Sequence, residues 1–278
     1  MPIEHSDALV VRSVEYSESS LILTLFTREY GKIHGIAKGG RRLKNPFETS
    51  LDILTHIYVS FLKKNSDALD ILTEAKLIRR FRPNRSNYSG LNAGYYLIEL
   101  LNEMTDDYDP MPELFDLAEE TLIRFQTGLQ IHKFLIHFEC GLLELCGQFP
   151  STRFCVECGK PLFDKKTDWE KSTNCSDCFE NEANRQTFSF LEGGVICPQC
   201  RYSQNYMNIA SVSSGTLNLL EFMKKTDFIQ VDALDFAVVS ASIWGEVRGV
   251  LNHYISHTLG KKLKMTEHFD LILPFDRF

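Results

Sequence analysis

Six of the eight cysteines fall in three Cys-x-x-Cys pairs: Cys155-Val-Glu-Cys158, Cys175-Ser-Asp-Cys178 and Cys197-Pro-Gln-Cys200. No other feature of the chain limits its fold as strictly. A Cys-x-x-Cys turn presents two thiolates to one metal ion, and two such turns close a tetrahedral structural zinc site. Gly159 follows the first pair and Gly193-Gly194 precede the third, where the tight turns of a zinc ribbon favour glycine. The stretch from Pro150 to about Met207 loses apolar periodicity and reads as a metal-binding module. Six thiols exceed the four that one zinc takes, and by spacing alone Cys175 and Cys178 can replace either other pair. A disulfide framework fits less well. The first residues, MPIEHSDALVV, lack a basic start followed by an apolar core, so no secretion signal is expected, and cytosolic thiols stay reduced.

Two other chemistries of cysteine pairs fit poorly. His137-Phe138-Glu139 upstream of Cys155-x-x-Cys158 loosely matches the H-x-E…P-C-x-x-C order of zinc deaminases, but Phe154 stands where proline is required. His137 also lies within an apolar helical stripe, the setting of a core or helix-surface histidine. A redox pair would need a βαβ context that the flanking sequence does not supply. Cys140 and Cys146 lie on the same apolar helix and are expected to be buried thiols.

The flanks of the module differ from one another. From Asp7 to Arg80 the chain reads as short strands: Ala8–Tyr16, Leu21–Thr27, Gly31–Ala37, a run in which Ile53, Thr55, Ile57, Val59 and Phe61 share a face opposite His56, Tyr58 and Ser60, and the stretch LDILTEAKLI, a further strand or a strand running into a helix. Five short strands within about 75 residues suggest a small barrel or sandwich. Gly31 and Gly35 would suit strongly bent strands. FRPNRSN (Phe81–Asn87) reads as a linker, since Pro83 suits neither a helix interior nor a central strand. Three amphipathic helices follow, with stripes Leu91, Tyr95, Ile98, Leu101; Leu114, Ala118, Thr121, Leu122, Phe125; and Ile131, Phe134, Leu135, Phe138, Leu142, Leu145. Asp109 or the Pro-containing segment after it is expected to start the second. After the module, helical periodicity returns. Ser213 or Ser214 is expected to cap one helix, and Phe236, Val239, Ile243, Val247, Val250 and Leu251 mark the stripe of another. The cysteine module thus interrupts a helical domain. No apolar run approaches the ~18 residues needed to span a bilayer.

Charge is distributed unevenly. Met1–Arg85 hold 14 Lys+Arg against 10 Asp+Glu, a balance of +4, whereas the whole chain stands at -7. Within that half, Lys38, Arg41, Arg42 and Lys44 crowd one loop between two expected strands, beside Gly39-Gly40. Such a loop can contact phosphates, with Tyr58, Phe47 or Phe61 offering a stacking surface. It is not a P-loop, since G-x-x-x-x-G-K-[ST] is missing. An ordinary solvated loop is the alternative reading.

The order and spacing of several motifs resemble the bacterial RecO family of recombination mediators over nearly the whole chain. They are YGKIHGIAKGGRRLKN (Tyr30–Asn45), LDILTEAKLIRRF, PELF (Pro112–Phe115), FECGLLELCGQFP (Phe138–Pro150), CVECG (Cys155–Gly159), FSFLEGGVICPQC (Phe188–Cys200) and GKKLK (Gly260–Lys264). The resemblance implies an α+β multidomain protein: an N-terminal OB-fold β-barrel, then a helical domain interrupted by a zinc-ribbon-like module. The limits it suggests are 1–82 for the barrel, 83–149 and 213–278 for the helical parts, and 150–212 for the module. It implies Cys155, Cys158, Cys197 and Cys200 as ligands of one structural zinc. The family's module is shorter, so about Asp164 to Asn184 looks like an insertion that contains Cys175 and Cys178, a pair that is either spare or serves a second metal site. Lys38, Arg41, Arg42 and Lys44 would be the DNA contact. The implied activity is binding without catalytic turnover: single- and double-stranded DNA are held, complementary strands annealed, and RecA loaded, with RecR, onto DNA coated by single-stranded DNA-binding protein. The implied location is the bacterial cytoplasm, at the nucleoid during repair. Met265 and the apolar tail DLILPFDRF depart from the family's closing motif, which bears on contact with the tail of single-stranded DNA-binding protein. Set against this reading are an enzyme, a deaminase or nuclease, and a protein-interaction scaffold without direct DNA affinity.

Overall fold

The computed structural model describes residues 2–42, 44–47, 51–64, 68–83, 88–162, 184–203, 205–235 and 238–268. The chain divides into two compact units, Met1–Leu135 with Leu263–Phe278, and Ile136–Lys262.

The first unit is built on a closed five-stranded barrel of order β1-β2-β3-β5-β4. Its strands are β1 (Ile3–Glu15), β2 (Leu21–Thr27), β3 (Gly31–Ala37), β4 (Thr55–Leu62) and β5 (Asp70–Arg80). β3 and β5 pair in parallel, and the other pairs are antiparallel. This is the strand order of an OB-fold. β1 pairs with β4 over Ile3–Leu9 and with β2 over Ala8–Glu15, with a bulge between Val10 and Arg12 in the second pairing. Alternate residues fill the interior, among them Ala8, Val10, Leu23, Leu25, Ile33, Ile57, Val59 and Phe61. Gly35 is required by close approach, since a Cβ there would sit 2.6 Å from Leu72 Cδ2. Gly31 has φ +68°, and its Cβ would meet the Asp109 carbonyl oxygen at 2.1 Å. Both are therefore sites of tight packing rather than of strand bending alone.

Helices α1 (Tyr88–Met104) and α2 (Pro112–Thr127) belong to this unit. The expected stripe of α2 is buried, and Phe115 joins it. Pro112 opens the helix, and Gly128 ends it at φ 74°. In α1 the buried face is only partly the expected one: Ile98 and Leu101 are buried as expected, Tyr95 is exposed, and Tyr96, Leu97 and Leu100 are buried with Gly90, Ala93 and Gly94. The small residues explain the shift, since a Cβ on Gly94 would meet Phe81 Cε1 at 2.9 Å. Apolar periodicity does not count glycine as a contact. The β4 alternation holds from Thr55 to Phe61, while Ile53 lies before the strand and is exposed. On the opposite face, His56 is buried because α2 covers it, with its Nδ1 2.8 Å from Glu119 Oε1 and its ring edge-on to Phe115. Lys32 is likewise taken up by packing. Its ammonium donates to the carbonyls of Asn102 (2.8 Å) and Thr105 (2.6 Å), capping the C-terminus of α1. Arg28 forms a two-point bond to Asp116, both at 2.8 Å. A closing 3-10 turn (Lys264–His268) is held to α1 where Glu99 accepts the N–H groups of Lys264 and Met265.

Helix α3 (Ile131–Leu145) contains the division between the units. The second unit holds a three-stranded sheet of order β7-β6-β8, made of β6 (Arg185–Ser189), β7 (Gly194–Ile196) and β8 (Ile209–Ser213). Its other helices are α4 (Pro198–Ser203), α5 (Ser214–Lys225), α6 (Phe228–Ala233) and α7 (Ala241–Leu259). Ser213 caps α5, its hydroxyl accepting from Thr216 N. The last helix starts later than the stripe suggested. Ser240 caps it, Val239 lies in the connection, and Phe236 is outside the described residues. His137 bonds the Thr226 carbonyl oxygen at 3.0 Å, and Glu139 is buried in a two-point ion pair with Arg248 (2.5 and 2.6 Å). Both residues of the deaminase-like match are thus structural. Cys140 is buried and Cys146 partly so. Among the described residues no helix is long and apolar enough to cross a membrane.

Candidate nucleic-acid interface and metal centre

The basic loop leaves β3 at Ala37, whose side chain closes the barrel interior. Two successive turns follow, Gly40 N to Ala37 O and Arg42 N to Gly39 O, with Gly39 at φ +76°. Asn45 staples the loop: its Nδ2 donates to the carbonyls of Arg42 (2.5 Å) and Gly40 (3.2 Å), and its Oδ1 accepts from Phe47 N. Phe47 then enters the barrel core. Anchored at both ends, the loop holds the side chains of Lys38, Arg41, Arg42 and Lys44 outward, all exposed.

The four cations are not equivalent. Arg41 is a strut to the β1–β2 turn. Its Nη2 lies 3.1 Å from Glu15 Oε1, its Nη1 donates to the Ser17 carbonyl, and its backbone N–H to that of Ser19. Lys38, Arg42 and Lys44 make no ion pair among the described residues. Their charge is available to an anion, and three such cations on one loop suit consecutive phosphates. Two of the expected stacking residues are corrected by the structure. Phe47 and Phe61 are buried in the barrel core, because the loop needs one as its anchor and β4 points the other inward. Tyr58 is exposed, its ring stacked on His5 at 6.0 Å. Arg12 went unnoticed in the sequence, where a single arginine in a strand carries no signal. Strand parity locates it on the outer face, opposite Thr24.

The cysteine centre is built by two tight turns. After the first, Gly159 N donates to the Cys155 carbonyl, and Cys155 N to that of Lys160. The second follows β7, whose start needs glycine because a Cβ on Gly194 would sit 2.4 Å from the Ser151 carbonyl oxygen. The sulfur atoms of Cys155, Cys158, Cys197 and Cys200 all lie within 4.8 Å of one another. The Sγ atoms of Cys158 and Cys197 are 3.8 Å apart. Tetrahedral Zn–S bonds of about 2.3 Å place sulfurs about 3.8 Å apart, so the donor set fits a zinc-sized ion. The N–H groups of Cys197 and Cys200 point at the sulfurs of Cys155 and Cys197. Burial opposes ionisation of Cys155, but N–H groups from Cys197, Cys158 and Glu157 outweigh it and hold the thiol down at about 6. Cys200 is pushed up to about 12 by its hydrogen bond with Cys197 and by burial. Four sulfurs this close cannot all ionise without a cation among them. Cys175 and Cys178 lie outside the described residues.

Two family models match the chain: Recombination protein O N terminal over residues 1–81, and Recombination protein O C terminal over residues 85–186 and 171–267. A DNA repair protein RecO of Rhodopirellula baltica is 34% identical over 93% of this chain and 96% of that protein. Those of Syntrophus aciditrophicus (27% identical, 96% of this chain, 95% of that protein) and Myxococcus xanthus (28%, 94% and 94%) are also similar. The chain belongs to the recombination protein O (RecO) family.

Proposed function

We infer that this chain is a DNA repair and recombination mediator that works by binding rather than by turnover. In this reading the barrel, residues 1–82, holds single- and double-stranded DNA, and complementary strands are annealed on it. With RecR, the protein helps load RecA onto DNA coated by single-stranded DNA-binding protein, in the bacterial cytoplasm. One observation carries the DNA contact: Lys38, Arg42 and Lys44 are exposed, and make no ion pair among the described residues, on a loop stapled to the barrel. Neutralising phosphates there lowers the repulsion between two strands, which is what annealing requires. Arg41 contributes by bracing the loop. Cys155, Cys158, Cys197 and Cys200 would hold one structural zinc, whose chemistry is to cross-link the module.

The test is the rate at which two complementary labelled oligonucleotides anneal. Wild type should accelerate annealing, and Arg42→Glu/Lys44→Glu should lose most of that acceleration. Equal acceleration by the variant would move the contact off the loop. No acceleration by wild type would favour the scaffold reading.

A further inference from the structure

Helix α1 carries an aromatic stripe on its outer side. Tyr88 is 70% exposed and Tyr95 38% exposed, with Leu91 and Asn92 half-buried between them. At about 3.6 residues per turn, Tyr88, Asn92, Tyr95 and Glu99 fall within about 60° of arc, with Leu91 at its border. The helix packs by the opposite side, where Ala93, Gly94, Leu97 and Leu101 are buried. One exposed tyrosine needs no explanation. Two on one stripe, at whose end the chain itself is fastened, call for one.

The last described residues are tied to that face. Leu263 is buried, and the carboxylate of Glu99 accepts the N–H groups of Lys264 (2.7 Å) and Met265 (2.9 Å). Ten residues follow His268, in the order Phe-Asp-Leu-Ile-Leu-Pro-Phe-Asp-Arg-Phe, and six of them are large and apolar. Fully extended, ten residues span about 33 Å. From Glu99 back to Tyr88 the helix rises only about 16 Å. The tail therefore reaches the whole stripe.

Charge favours that direction over the other. Past Glu99 the same face runs to Glu103, and the connection after α1 carries Asp106, Asp107 and Asp109. A segment bearing Asp270 and Asp276 is repelled there. Between Tyr88 and Glu99 the helix has no charged side chain. We propose that the C-terminal tail, Phe269–Phe278, docks on the Tyr88–Tyr95 stripe of α1, so that this face is an interaction surface filled by the chain itself. The fastening at Glu99 makes docking intramolecular, and the high effective concentration lets a short apolar segment suffice. A second copy or another protein reaches the face only by displacing the tail.

The experiment is photo-cross-linking of the full-length protein in which p-benzoylphenylalanine replaces Phe275, followed by peptide mass mapping. Cross-links should fall within one chain, on the Tyr88–Glu99 segment, in a yield that does not change with protein concentration. Adding Tyr88→Ser/Tyr95→Ser should lower that yield about tenfold, since two ring contacts are lost. The doubly substituted protein should unfold at the same temperature, because both rings are exposed. Cross-links between chains, rising with concentration, would give the stripe to a second copy and overturn the proposal. Cross-links to any other segment, none at all, or an undiminished yield without the two rings would also overturn it.

Discussion

The barrel and the cysteine module hold their shapes by different means. The barrel encloses a continuous core of aliphatic and aromatic side chains from all five strands, and Phe47 adds the loop to it. Around the module's sulfurs the packed cluster is Cys155, Ile196 and Cys197, with Val156, Leu162, Cys200 and Tyr206 against it, while the sheet itself buries Phe188, Val195 and Val212. Two of the three buried residues of the sulfur cluster are thiols directed at a shared centre. A sheet closed on itself buries enough apolar surface to stand without a ligand. The small cluster at the cysteine turns does not, and a metal ion held there would supply the missing constraint. The difference explains why the two regions carry different sequence signatures: alternation in one, cysteine spacing in the other.

The largest effect should come from breaking the metal centre. Chelation, or Cys197→Ser, should abolish amide-exchange protection in β6, β7 and β8, since structural zinc can contribute about 10 kcal/mol or more to folding. Protection in β1–β5 should persist. Phe61→Ala should do the reverse, costing the barrel about 3–5 kcal/mol and leaving the cysteine centre intact. Loss of both regions in either experiment would break the comparison.

A smaller effect would sharpen it. The module's sheet has a second fastening at Glu246, which accepts from Ser213 N (3.0 Å), from the hydroxyls of Ser213 and Thr216 (2.5 Å each) and from Arg185 (2.6 Å). Burial opposes its ionisation, but these bonds prevail and hold its carboxyl below the ordinary value. A depressed carboxylate stabilises the fold above its unfolded pKa, near 4.3. That stability is lost as pH falls through the folded value. Thermal unfolding from about pH 6 to pH 3 should therefore show wild type losing more stability than Glu246→Gln. Parallel curves would mean that the carboxylate's charge does not matter there.

Local features were legible in the sequence, and long-range partners were not. The five strands, the stripe of α2 and the Ser213 cap follow from spacing over a few residues. So does the gathering of Cys155 with Cys158 and of Cys197 with Cys200. The choice of Lys32 to cap α1, of Glu15 to hold Arg41 and of α2 to cover His56 depends on elements far apart in the chain. Four adjacent cations looked equivalent because nothing local separates Arg41 from Arg42. The face of α1 was legible at Ile98 and Leu101 but misplaced at Tyr95, because Gly94 packs by its smallness.

The central claim is that Lys38, Arg42 and Lys44, rather than the net charge of the chain, set its affinity for DNA. The direct measurement is the affinity for a labelled single-stranded oligonucleotide as a function of salt, for wild type and Arg42→Glu/Lys44→Glu. Three phosphate contacts on a single strand predict a wild-type slope of log K against log salt of about -2, and the variant should bind more weakly with a slope flatter than about -0.7. Unchanged affinity and slope in the variant, or wild-type binding indifferent to salt, would contradict it.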